Sequence, residues 1–151
     1  MGTVALSGAD TININGRVLA DLGDGDVVGM TFPNDISNVK TGKNGNSIYG
    51  LNESGKVCDV KVRVIRGSSD DKFLNGLLAQ QKANFAGMIL MTGQFIKKLG
   101  DGAGNIVSDT YIMSGGVFNK QVEAKSNVEG DIEQSVSIYH MKFSNSPRVI
   151  T

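Results

Sequence analysis

One stretch of the chain has the spacing of a phosphate-binding loop: Gly50-Leu51-Asn52-Glu53-Ser54-Gly55-Lys56. It satisfies G-x-x-x-x-G-K, but Val57 follows, where the motif needs a Ser or Thr hydroxyl for magnesium. A phosphate loop also opens a helix, whose first amides hold the anion. Here the residues that follow, VCDVKVRVI, alternate as a strand. The motif therefore reads as a hairpin turn, with no nucleotide held through Lys56. Gly100-Asp101-Gly102-Ala103-Gly104 lacks the glycine spacing of a dinucleotide fingerprint and precedes a strand, so it reads as a hairpin connection. Asp21, Asp24 and Asp26 lack the ordered carboxylate series and final Glu of a calcium loop. Cys58 and His140 are the single cysteine and the single histidine. One of each permits neither a disulfide nor a zinc site with several Cys or His ligands, and neither carries a nucleophile signature. Asn52-Glu53-Ser54 matches a glycosylation acceptor, which matters only in a secreted chain. No residue set points to catalysis, a metal or a cofactor, and the chain reads as a non-enzyme.

Composition narrows the classes further. The chain has 151 residues with 15 Lys and Arg against 15 Asp and Glu, so its net charge is zero. That balance argues against a free basic nucleic-acid binder, because counterion release needs a positive surface. At 40% hydrophobic residues the chain is too apolar to be disordered. No apolar run reaches the ~20 residues a membrane helix needs. The first residues, Met1-Gly2-Thr3-Val4-Ala5-Leu6, show neither a basic n-region nor an apolar h-region, so no signal peptide is expected. Twenty Gly against two Pro point to many tight turns. Charge is segregated along the chain: residues 1–53 carry net −3, residues 54–98 net +5 and residues 99–151 net −2. A neutral chain with separated charges can attract copies of itself, and neutrality is a poor design for a soluble monomer.

The elements read mostly as strand and turn. In 11–22, Ile12 and Ile14 alternate with Asn13 and Asn15, and Asn15-Gly16 is a hairpin signal. A second strand follows over 26–32. Residues 34–55 are polar, glycine-dotted and without sustained period, and read as a long hairpin arm or loop. Loops of this length usually serve a function. In 57–65, Val60, Val62 and Val64 share one face. A helix is expected over 69–83, capped by Ser68 or Ser69, with Asp70 and Asp71 at the positive end of its dipole. Its apolar stripe is Phe73, Leu74, Leu77 and Leu78. The run 88–95 reads as a buried central strand that Lys97 and Lys98 return to solvent. Strands are expected over 106–117, with a bulge at Gly115-Gly116, and over 118–124 and 132–143. Pro147 discourages pairing of the tail. One domain spans 1–151.

The order is a short strand pair, a polar arm, a V-x-V-x-V strand feeding one capped helix, and a closing β-meander. It resembles the tail tube proteins of contractile-tailed bacteriophages. The stretches that carry the likeness are GKVCDVKVRVIRGSSDDKFLNGLL, QFIKKLGDGAGNIVSDTYIMSGGVFNKQVEAK and SVSIYHMKF. The resemblance implies a mainly β, sandwich- or barrel-like subunit with one flanking helix. It implies six-membered rings stacked into a hollow tube, a surrounding sheath, baseplate and tail terminator partners, and DNA passing non-specifically through the lumen. It places the protein in the virion tail, assembled in the host bacterial cytoplasm without membrane insertion. A related secretion or bacteriocin-type apparatus fits the same pattern. From another class, a β-sandwich carbohydrate or receptor binder is the alternative, though the absence of Trp counts against it. On the arm, Ile36, Val39, Ile48, Tyr49 and Leu51 are expected to make inter-subunit contacts, because apolar anchors on a polar arm serve no purpose in a free monomer.

Overall fold

The computed structural model describes residues 2–6, 10–23, 27–124, 126 and 132–151. In chain order its elements are β1 (Ala5–Leu6), β2 (Thr11–Ile14), β3 (Arg17–Val18), β4 (Val28–Thr31), β5 (Ser37–Thr41), β6 (Ser47–Leu51), β7 (Cys58–Ile65), α1 (Ser69–Ala83), β8 (Met91–Gly100), β9 (Ile106–Phe118), β10 (Glu123–Ala124), β11 (Val136–Asn145) and β12 (Arg148–Ile150). The fold is mainly β with one flanking helix, as the turn density and the single apolar helical stripe foretold.

Among the described residues ten strands form one antiparallel sheet, in the order β3-β2-β8-β9-β11-β7-β4, with β1 on β8, β10 on β11 and β12 on β9. The sheet curls. Beyond β3, at one end of that order, the chain crosses to β7 near the other end. There Gly23 N–H donates to the Arg63 carbonyl, and Ile65 N–H donates to that of Asp21. Leu22 bridges Val64. The core lies inside this curl. Cys58, Val60, Val62 and Val64 of β7 face Tyr139, Met141 and Phe143 of β11 and Ile12 and Ile14 of β2, all buried. Burying each such side chain stabilises the fold by ~1.5–3 kcal/mol.

Helix α1 closes the open side of the core with Leu74 and Leu78, while Phe73 and Leu77 pack partly buried beside them. Ser68 caps it, its Oγ accepting from Asp71 N–H. Asp70 is 1% exposed and ties the helix to the chain after β3. It accepts from Arg17 Nε at 3.0 Å and from the amides of Ala20 and Asp21 at 2.6 and 2.7 Å. Asp71 accepts from Gly67 N–H and from the hydroxyls of Ser137 and Tyr139.

Asn15 and Gly16 take positive φ in the β2–β3 turn, as the Asn-Gly pair requires. The bulge also forms. Met91 opposes Gly116 and Gly93 opposes Met113, which leaves one extra residue on β9. Gly115 takes φ 66° there. Gly116 has a different reason to be glycine: a Cβ would enter the Phe143 ring.

Several expected strands are redrawn. The run 88–95 is not a buried strand throughout: β8 begins at Met91, and Ile89 is 91% exposed. The stretch just before it turns through Asn84 and Gly87 and leaves the sheet. Lys97 and Lys98 do not end β8, which continues to Gly100 because β9 pairs with it throughout and Asp10 neutralises Lys97. Of residues 118–124, Phe118 ends β9 and only Glu123–Ala124 form a further strand, β10, and the strand expected over 132–143 begins with a 3-10 turn, Ile132–Ser135, before β11. The tail does pair. Pro147 lacks a donor, but its carbonyl accepts from Ile112 N–H, and β12 then runs beside β9. Two 2.8 Å bonds from Arg148 to Asp109 pin it there.

A candidate assembly surface

The polar segment between β4 and β7 folds as a hairpin of its own. β5 and β6 form a two-stranded sheet separate from the ten-stranded one. Its tip is Gly42-Lys43-Asn44-Gly45-Asn46, where Gly42 N–H donates to the Asn46 carbonyl and Gly45 takes φ 82°. Its root is held by asparagines. Asn52 Nδ2 donates to the Asp35 carbonyl at 2.7 Å, and Asn34 Nδ2 donates to the Ser54 carbonyl at 3.2 Å. Gly55 is buried against Ile36, too close to that residue's Cα to accept a Cβ.

Register assigns the arm's side chains to faces. Val39 opposes Tyr49 and Ser37 opposes Leu51, so Val39, Tyr49 and Leu51 share one face. Lys40 opposes Ile48 on the other. Asn52 N–H donates to the Ile36 carbonyl, which extends the pairing and puts Ile36 on the side of Ile48. All five apolar residues stand between 60% and 77% exposed. Within 36–52 the only charges are Lys40 and Lys43; Asp35 and Glu53 flank the root. A lone two-stranded hairpin is marginal in water, and its outer edges offer unpaired backbone groups. The arm therefore presents apolar side chains on both faces, and open strand edges, to solvent.

The chemical candidates lie apart from one another, and one of them overlaps the root of the arm. The phosphate-loop lookalike spans the end of β6 and a 3-10 turn, Glu53–Lys56, rather than a hairpin turn, because β6 pairs with β5 and not with β7. Its amides are spent locally: Ser54 N–H on Asn52 Oδ1, Gly55 N–H on the Asn52 carbonyl and Val57 N–H on that of Ser54. Cys58 points into the core, where burial raises its thiol pKa. His140 projects from the opposite face of the sheet, beside Lys61, with Nε2 3.2 Å from Glu123 Oε2. The two cannot act as a pair. Asp24 and Asp26 lie outside the described residues; Asp21 lends its amide to Asp70. Burial alone would raise the Asp70 pKa, but hydrogen bonds from the Asp21 amide, Arg17 and the Ala20 amide outweigh it and hold the carboxyl below the ordinary range. Burial, then the Asp71 carboxylate, pushes the Tyr139 phenol well above its usual value.

A second exposed apolar surface escaped the sequence reading. Phe85, Ile89 and Leu90 stand in solvent between α1 and β8. The signal was present in Asn84 and Gly87, turn residues at the start of this stretch and within it.

Neither a family model nor a curated protein sequence matches the chain. Solved structures do. A chain of the sheath–tube complex of an extracellular contractile injection system, PVC, in its extended state superimposes with TM-score 0.65 at 6% identity, over 94% of this chain and 88% of that one. A chain of the anti-feeding prophage cap, which terminates that particle's tube, superimposes with TM-score 0.60 at 6% identity and the same coverage. By fold, the chain is similar to components of contractile injection systems.

Proposed function

We propose that this protein is a structural, non-enzymatic subunit that self-assembles into stacked, six-membered rings forming the inner tube of a contractile tail. The observation that carries this reading is the arm: a hairpin with five exposed apolar side chains that joins no other strand of its own chain among the described residues. A protein with zero net charge that keeps such a surface in solution is built to associate. The fold shared with components of contractile injection systems supports assembly of this kind. On this reading the sheath surrounds the tube, baseplate and terminator proteins bound its ends, and the lumen passes DNA without sequence-specific contact. The protein would be found in the virion tail after assembly in the bacterial cytoplasm.

The two structural neighbours are described as injection-system components, which favours a second reading of the same tube. It would then belong to a secretion or bacteriocin-type apparatus, with its lumen free of genome. Either way the arm residues Ile36, Val39, Ile48, Tyr49 and Leu51 contact a neighbouring subunit.

Negative-stain microscopy of the purified protein tests the proposal. Rings and hollow tubes are expected. A protein that remains monomeric at high concentration and binds glycans would overturn it in favour of a binding module.

A further inference from the structure

The sequence holds three Asn-Gly pairs: Asn15-Gly16, Asn44-Gly45 and Asn75-Gly76. An asparagine before glycine carries a latent reaction, because glycine has no side chain to shield its backbone nitrogen from the asparagine's own side-chain amide. The reaction needs that nitrogen free and the asparagine free to turn onto it, so the fold decides which pair reacts. Two pairs are held. At Asn15, Oδ1 accepts from Thr92 N–H at 2.9 Å, and the nitrogen of Gly16 is engaged by Asn13 Oδ1 at 2.8 Å. Asn75-Gly76 lies inside α1, where the Gly76 N–H belongs to the helical ladder. Asn44-Gly45 stands exposed at the tip of the arm. Two backbone bonds close that turn, from Gly42 N–H to the Asn46 carbonyl at 2.7 Å and from Gly45 N–H to the Gly42 carbonyl at 3.1 Å. Only the longer one occupies the reacting nitrogen. Among the described residues no hydrogen bond holds the Asn44 side chain. A lone two-stranded hairpin also opens more easily than a ten-stranded sheet or the middle of a packed helix.

We propose that Asn44 is a modification site, where spontaneous deamidation through Gly45 retires the arm from assembly. The Gly45 nitrogen gives up its proton and bonds to Asn44 Cγ; the Cγ–Nδ2 bond breaks, and ammonia leaves with that proton. Water then opens the cyclic imide, its hydroxyl going to a ring carbonyl carbon and its proton to the nitrogen. Opening at Cγ leaves an aspartate, and opening at the backbone carbonyl leaves an isoaspartate. Water enters and ammonia leaves, and no oxidant is needed. The effect on assembly rests on the reading of the arm as an assembly device. Both products place a carboxylate in a segment, 36–52, whose only charges are Lys40 and Lys43. Isoaspartate also routes the backbone through the side-chain methylene and lengthens the loop that sets the register of β5 on β6. The pairings of Val39 with Tyr49 and of Ser37 with Leu51 depend on that register.

Ageing the full-length protein, dilute and in mildly alkaline buffer, tests this. Peptide mapping by mass spectrometry reads each amide-to-acid conversion, and isoaspartate methyltransferase labelling identifies the rearranged product. Asn44 should convert at least ~10-fold faster than Asn15 and Asn75, a margin that requires only ~1.4 kcal/mol of difference in local opening. Anion exchange then separates the converted protein by its added charge. Its thermal unfolding should match that of fresh protein, while its large assemblies should be lost in analytical ultracentrifugation. Asn44→Gln, too long to close the same ring readily, should keep its assemblies after equal ageing. If Asn44 converts no faster than the other two pairs, the site is wrong whatever the arm does. If the converted protein assembles like the fresh one, or aged Asn44→Gln loses assembly as fast as the wild type, the proposed effect is wrong. Replacing 35–54 with a tight turn then separates the two claims. Loss of assembly in that variant leaves the role of the arm standing, and normal assembly overturns both.

Discussion

Asp70 illustrates how one carboxylate can organise two elements. It sits in the first turn of α1, where the helix dipole favours negative charge, and it satisfies two amides of the segment after β3. Asp70→Asn keeps the shape but removes the charge-assisted bonds. It should destabilise the subunit by ~1.5–3 kcal/mol, measured by urea unfolding at pH 7. The sign of its pH dependence follows from the lowered folded-state pKa. Its contribution is complete above the unfolded value of ~3.9 and fades as pH falls through the lower folded value. The Asn variant should therefore lose less stability than the wild type between about pH 4 and pH 2. Gly116 makes a simpler case. Gly116→Ala drives a methyl into the buried Phe143 ring. The expected cost is ~1–3 kcal/mol from overpacking, and Phe143→Leu in the same chain should recover part of it.

At the scale of elements, the arm is separable and the strands of the ten-stranded sheet are not. Among the described residues β5 and β6 pair only with each other, and their side chains stay outside the core. Replacing 35–54 with a tight turn should leave a folded subunit whose unfolding free energy changes by less than ~1 kcal/mol. The same variant should form no tubes under negative stain. An unfolded product would mean that the packing of Gly55 on Ile36 matters to the core. Helix α1 depends on its cap in the ordinary way. Ser68→Ala removes the acceptor for Asp71 N–H and should cost ~1 kcal/mol.

For the whole molecule, zero net charge leaves little long-range repulsion between copies. The proposed contact is apolar, so association should strengthen with sulfate and persist in high sodium chloride. A contact dominated by ion pairs would instead weaken as salt screens it. Light scattering across a salt series separates the two, and assemblies that dissolve steadily with added sodium chloride would count against the apolar arm.

What the sequence determined by itself was local. The alternation of Val60, Val62 and Val64 set a strand, Ser68 and the stripe through Leu74 and Leu78 set a helix with the expected bounds, and Asn15-Gly16 set a turn. Each depends on periodicity, capping or backbone sterics within a few residues. The composition of the arm was equally legible, because its apolar residues stood out in a polar segment. What the tertiary structure decided was non-local. Residues 88–90 are as apolar as the start of β8, yet they leave the sheet where Asn84 and Gly87 turn the chain. Pro147 could not donate, yet β12 pairs because Ile112 supplies a donor to its carbonyl. Asp70 looked like a dipole partner and became a buried anchor because the chain after β3 folds back onto the helix. A strand exists only where a neighbour offers matching backbone groups, and a buried charge only where distant groups converge on it.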